Sequence, residues 1–218
     1  NWQDNYKRTI PKIKLYFFKA LYLECLNYFK RLLILERAAL PIFSSIAPDG
    51  APPIPIDPIV SFPAFPSRNN PKLQEWKDFL KKELEHFKPD IVVCHSLANI
   101  LWFHTCDELD IKLDKLMLVA PVSRNRDIPE AKTFFPYPIA KDLKANEIIM
   151  AASTNDPYMS IEEAIELQSK LNIGMKIMEN AGHINAASGF GKLDCALDWI
   201  KRVDECEINK DINEELQG

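Results

Sequence analysis

Ile91-Val92-Val93-Cys94-His95-Ser96-Leu97-Ala98 is the stretch on which the reading of this chain turns. Four apolar residues make a short buried-strand run, and an apolar helical pattern starts at Leu97. Between them stands a serine flanked by small residues two positions away on either side. This pattern resembles a strand-to-helix elbow that lifts a serine hydroxyl above a sheet. Cys94 and Ala98 stand where such an elbow usually has glycine. Taken alone, a serine at this junction is more often a helix N-cap.

Outward from the elbow the same alternation repeats. Leu73 to Phe87 reads as an amphipathic helix, with Trp76, Phe79, Leu80, Leu84 and Phe87 on one side. Lys115 to Val122, Glu147 to Ala152 and Met175 to Met178 read as further strands. Ile161 to Leu171 and Asp194 to Val203 read as helices. Short apolar strands separated by helices predict an α/β fold with a mainly parallel sheet covered on both faces. In such sheets the functional groups gather at the carboxyl ends of the strands.

Two more strand ends carry chemistry. Ser153-Thr154-Asn155-Asp156-Pro157-Tyr158 follows one strand and Ala181-Gly182-His183-Ile184-Asn185 follows the next. Asp156 suits the acid that orients an imidazole, and His183 suits a general base at neutral pH. Each has a plainer reading: Asp156 as an Asx turn before a helix, and His183 as a structural histidine bonded to backbone. The order Ser96, Asp156, His183 along successive strand ends favours a triad, in the chain order of α/β-hydrolases.

The flanking regions read differently. Asn1 to Leu40 is aromatic, basic and apolar, with Lys12 to Phe18 read as a strand and Lys19 to Leu40 as a helix. Charges at Lys14, Lys19, Glu24, Lys30, Arg31, Glu36 and Arg37 exclude an ordinary membrane span there. Ala51 to Pro58 holds proline at four of eight positions and reads as an extended surface connector. The resulting division is an atypical region 1–70, a core 71–206 and a polar tail 207–218. The chain starts at Asn1 rather than Met, which suits a fragment or a processed chain.

Composition narrows the function classes. The 218 residues are 47% hydrophobic, enough to bury a real core. A formal charge of −4 argues against nucleic acid or an anionic membrane as partner. The five cysteines are odd in number and lack CxxC spacing, which suits reduced thiols in a cytoplasmic protein. The four histidines form no recognised metal motif.

Several of these stretches together resemble one family: the small serine hydrolases similar to retinoblastoma-binding protein 9, also called YdeN-like. The resemblance lies in 153–158, in 181–191, in Phe134-Phe135-Pro136-Tyr137-Pro138 and in 89–97, and it runs from about Pro71 to Ile200. It implies an α/β-hydrolase fold, with Ser96 as nucleophile, Asp156 as orienting acid and His183 as base. It implies small esters or amides as substrates and no metal or organic cofactor. Leu97 N–H would be one oxyanion donor. Phe134, Phe135 and Tyr158 are candidates for an acyl pocket or for core.

The start Asn1-Trp2-Gln3 looks like the family's first helix. The strand and HG-type loop that precede it in the family, and that supply a second oxyanion donor, are not visible. The first strand is therefore expected to be missing or altered. An alternative follows from this: a catalytically impaired hydrolase-like protein acting through a protein partner. Retinoblastoma protein is a weak candidate, because Leu193-Asp194-Cys195-Ala196-Leu197 lacks the final acid of an LxCxE motif.

Overall fold

A computed structural model describes Leu32–Leu35, residues 60–189, and Ala196, Trp199 and Ile200. The strand read at Lys12 to Phe18, the connector at Ala51 to Pro58 and the tail 207–218 lie outside these residues. The chain divides into two units, one within Lys30–Ile184 and the other including the residues from Asn185 onward.

The first unit is built on a six-stranded sheet, every pair of which is parallel. Its strands are β1 (Leu32–Leu35), β2 (Val60–Ser61), β3 (Ile91–His95), β4 (Leu113–Val119), β5 (Ala145–Ser153) and β6 (Gly174–Met178). They lie in the order β2-β1-β3-β4-β5-β6. The helices are α1 (Leu73–Phe87), α2 (Leu97–Thr105) and α3 (Ile161–Leu171). None of the described helices is long and apolar enough to cross a membrane.

The middle strands read as apolar runs because both faces are covered. Ile91 to Cys94 and Leu116 to Val119 are all buried, as a parallel sheet between helix layers requires. α1 buries Trp76, Leu80, Leu84 and Phe87 at three- and four-residue spacing. It ends at Lys88, whose left-handed φ of 48° lets its N–H bond Leu84 O. α2 is different: Leu97 to Phe103 are all buried, so it lies inside the fold rather than on it. α3 starts with a reciprocal capping box between Ser160 and Glu163.

The excursion 120–144 between β4 and β5 has little regular structure, yet buried donors anchor it. Tyr137 O–H donates to Val122 O at 2.8 Å, and Trp102 Nε1–H donates to Leu143 O at 3.1 Å. His104 Nε2 bonds Phe134 O at 2.8 Å, so that nitrogen carries the proton.

Two expectations change here. Lys19 to Leu40 was expected as one helix, but Leu32–Leu35 is a strand. It lies parallel to β3, with Leu35 opposite Cys94. The place beside the serine-bearing strand, expected to be missing or altered, is filled by this segment. Leu33 and Leu35 are completely buried. A run such as Leu-Leu-Ile-Leu suits a buried strand as well as a helix, and periodicity cannot separate them. The proline-punctuated stretch before Pro71 also yields a strand, the two-residue β2 at Val60–Ser61.

In the second unit, Ala186–Ser188 forms a single 3-10 turn. Asn185 Oδ1 accepts from the Ser188 N–H at 2.9 Å and from its hydroxyl at 3.0 Å. Ala196, Trp199 and Ile200 are helical and buried, on the helix expected over Asp194 to Val203.

Candidate active site

The parallel register brings the ends of β3, β4 and β5 level. His95 pairs with Val119, Val119 lies opposite Ala151, and Ser153 pairs with Met178. The turns that follow therefore open on one edge of the sheet. All three residues singled out in the sequence stand there.

Ser96 occupies the turn between β3 and α2 with φ 58° and ψ −122°. A non-glycine residue held in that region is strained, and the strain points the side chain out of the turn. Its N–H donates to Val119 O at 3.0 Å. Ser96 makes no side-chain cap bond to α2, so the N-cap reading fails. Its Oγ instead lies 2.8 Å from His183 Nε2.

His183 Nδ1 faces both oxygens of Asp156, at 3.0 and 2.9 Å. A carboxylate only accepts, so Nδ1 carries the proton and Nε2 is left to accept from the serine hydroxyl. Both side chains are buried, at 7% exposure for His183 and 3% for Asp156. Asp156 also accepts from Tyr158 N–H at 2.9 Å, so its Asx-turn reading and its bond to His183 hold together.

The two loops that carry the acid and the imidazole are laced together. Asn155 Oδ1 accepts from Ser153 Oγ at 2.9 Å and from Gly182 N–H at 2.7 Å. Ser153 Oγ accepts from Ala181 N–H at 3.0 Å. Thr154 Oγ1 accepts from Asn180 N–H at 3.0 Å. Gly182 has φ 56°, a left-handed turn that brings the next residue back over the sheet. The polar stretch 153–155 thus fixes where His183 sits relative to Asp156.

Sequence reading missed two supports. His95 Nε2 lies 2.9 Å from His183 O and, since a carbonyl only accepts, it is the donor. The two imidazoles lie 5.1 Å apart. Asn99, completely buried, donates through Nδ2 to both Ser96 O and Val119 O at 2.9 Å. A signal existed: Asn99 is a lone amide in the first turns of an otherwise apolar helix, three residues after Ser96.

The glycine replacements at the elbow cause no obstruction. Cys94 points into the core with no exposure, opposite Leu118, and burial pushes its thiol pKa up. Cys106 is also a buried free thiol, pushed up to about 12.

Of the pocket candidates, Phe134 is core, completely buried and edge-on to Trp76. Phe135 is partly buried against that core. Tyr158 alone borders the site: it is 40% exposed and its ring centroid lies 4.5 Å from that of His183. A cavity of about 210 Å³ lies among Arg124, Tyr137, Met159, Glu163 and Lys170. Ser123 Oγ donates to Glu163 at 2.5 Å, and that bond leads in holding the Glu163 carboxyl below its usual range.

A parallel sheet whose strained serine turn meets an imidazole and an acid from the next strand ends defines the class: an α/β-hydrolase. The chain belongs to the serine hydrolase family, whose sequence model matches residues 64–202. Among solved structures it is similar to a YdeN-like hydrolase from Pectobacterium atrosepticum. That match has 25% identity and a TM-score of 0.52, covering 63% of this chain and 71% of the other. It is also similar to the YdeN gene product of B. subtilis, at 19% identity and a TM-score of 0.53, covering 66% and 81%. A search of curated proteins finds no match. The chain is thus an enzyme of the serine hydrolase family, similar in structure to YdeN-like hydrolases.

Proposed function

We propose that this enzyme hydrolyses small esters or amides through an acyl-enzyme on Ser96, with His183 as general base and Asp156 as its orienting acid. The observation that carries the reading is the 2.8 Å contact from Ser96 Oγ to His183 Nε2, with Asp156 behind the other ring nitrogen.

In the first half-reaction His183 Nε2 takes the Ser96 proton as Oγ attacks the acyl carbon. Asp156 keeps the imidazole in one tautomer and stabilises its cation. The tetrahedral oxyanion lies at the amino end of α2, where Leu97 N–H has no helical acceptor and can donate. His183 then hands its proton to the leaving group. Water, deprotonated by the same nitrogen, releases the acid and restores Ser96.

The same readings propose no cofactor and a small-molecule partner. The test is labelling by a fluorophosphonate, which reacts with activated serines. Wild-type protein is expected to label, and Ser96→Ala is expected not to; equal labelling of the two would refute the assignment.

A further inference from the structure

Arg124 and Arg126 lie in the turn after β4, at the sheet edge that holds the triad. Among the described residues neither guanidinium makes an ion pair. An exposed arginine in water needs none, so this alone says little. Position distinguishes Arg126. Its guanidinium carbon lies 5.8 Å from the centroid of the Tyr158 ring, and that ring lies 4.5 Å from His183. A cation is thus stacked on the aromatic residue that borders the imidazole.

The turn that carries Arg126 is tied down. Arg126 N–H donates to Ser123 O at 3.2 Å, and Asn125 N–H donates to Ser123 Oγ at 3.1 Å. Ser123 N–H donates to Tyr158 O at 3.0 Å, which joins this turn directly to the loop after Asp156. The charge of Arg126 also acts on Glu163, whose carboxyl it helps to hold below its usual range. The Glu163 oxygens accept from Ser123, Asn125 and the Ser160 N–H, not from a guanidinium. Arg124 stacks on a different ring, Tyr137, at 5.5 Å. Tyr137 in turn packs on Phe103 and Phe135.

We infer that Arg126 is a specificity residue and that the preferred substrate carries an anionic oxygen group beside the scissile ester or amide. The guanidinium offers a planar pair of donors that matches a carboxylate, and its stacking on Tyr158 holds that fork at low entropic cost. This rests on the hydrolase reading for the scissile bond, while charge recognition itself needs no turnover.

The probes are 4-nitrophenyl monoesters of succinic, glutaric and adipic acids, each against its uncharged methyl ester. Wild-type enzyme is expected to prefer the charged member at one chain length, with the preference weakening as salt is raised. Arg126→Gln should cut the charged-to-uncharged kcat/KM ratio roughly tenfold, the size of losing one charged hydrogen-bond partner. Arg126→Lys should restore part of it, and Arg124→Gln should move it much less. Calorimetric binding of the same pairs to Ser96→Ala reads recognition without chemistry. Turnover with no charge preference at any length, or an equal effect of Arg124→Gln, overturns the inference. Charge-selective binding without turnover by the wild type upholds it and overturns the hydrolase reading instead.

Discussion

Asn99 joins the carbonyl of the elbow serine to the last carbonyl of β4 through one amide group. Its Nδ2 holds Ser96 O and Val119 O, while its Oδ1 is buried without a hydrogen-bond partner among the described residues. A buried amide with one side unsatisfied is costly unless the other side holds something that matters. Here it holds the strained backbone of the elbow. Asn99→Ala would remove one donor from each carbonyl, leaving Val119 O with the Ser96 N–H and Ser96 O with the N–H of residue 99. We expect it to lower unfolding free energy by about 1–3 kcal/mol in urea denaturation. A change within experimental error would mean that the elbow does not depend on this clamp.

At this scale much was legible. Ser96, Asp156 and His183 are each ambiguous alone, and their order along the strand ends favours reading them together. The structure brings all three within hydrogen-bonding distance. The supports were not legible, for a physical reason. His95 acts on the His183 carbonyl from eighty-eight residues away in sequence, so no local pattern announces it. Arg126 becomes notable only once Tyr158 and His183 are seen to touch.

Among elements, β1 is the instructive failure. A four-residue apolar run inside a longer apolar and basic stretch carries no period that separates helix from strand. The deciding fact is tertiary: a parallel partner, β3, is available at its side. In contrast, α1 and α3 were readable because each has one solvated face. α1 buries a regular stripe, and α3 announces its start with Ser160 and Glu163. The role of β1 can be checked at Leu33, which is completely buried. Leu33→Ala should cost about 2–5 kcal/mol, as for other buried leucines. A cost below about 0.5 kcal/mol, typical of surface substitutions, would return this segment to a peripheral role.

For the whole molecule, pH offers a check on the packing of the 120–144 excursion. Burial lowers the pKa of His104, outweighing its bond to Phe134 O. The unfolded chain therefore binds this proton first, near the ordinary histidine value of about 6.5. Between that value and the lower folded one, the unfolded state holds more protons, so stability falls as pH falls. The lowered carboxyl of Glu163 adds a loss in the same direction at more acidic pH. His104→Gln keeps a donor for Phe134 O but cannot titrate. Its urea midpoint should drop less than the wild type's between about pH 7.5 and 5.5. Parallel curves would show that His104 does not govern this window.

The fold, the family and the hydrolase class stand on the sheet and the match over residues 64–202. The central claim is narrower: that Ser96 is an activated nucleophile. Its most direct measurement is mass spectrometry of the proteolysed protein after fluorophosphonate treatment. The account predicts one adduct, on the peptide containing Ser96, absent in Ser96→Ala and formed far more slowly in His183→Ala. Folded wild-type protein with no adduct, or with an adduct elsewhere at the same rate in all three proteins, would contradict it.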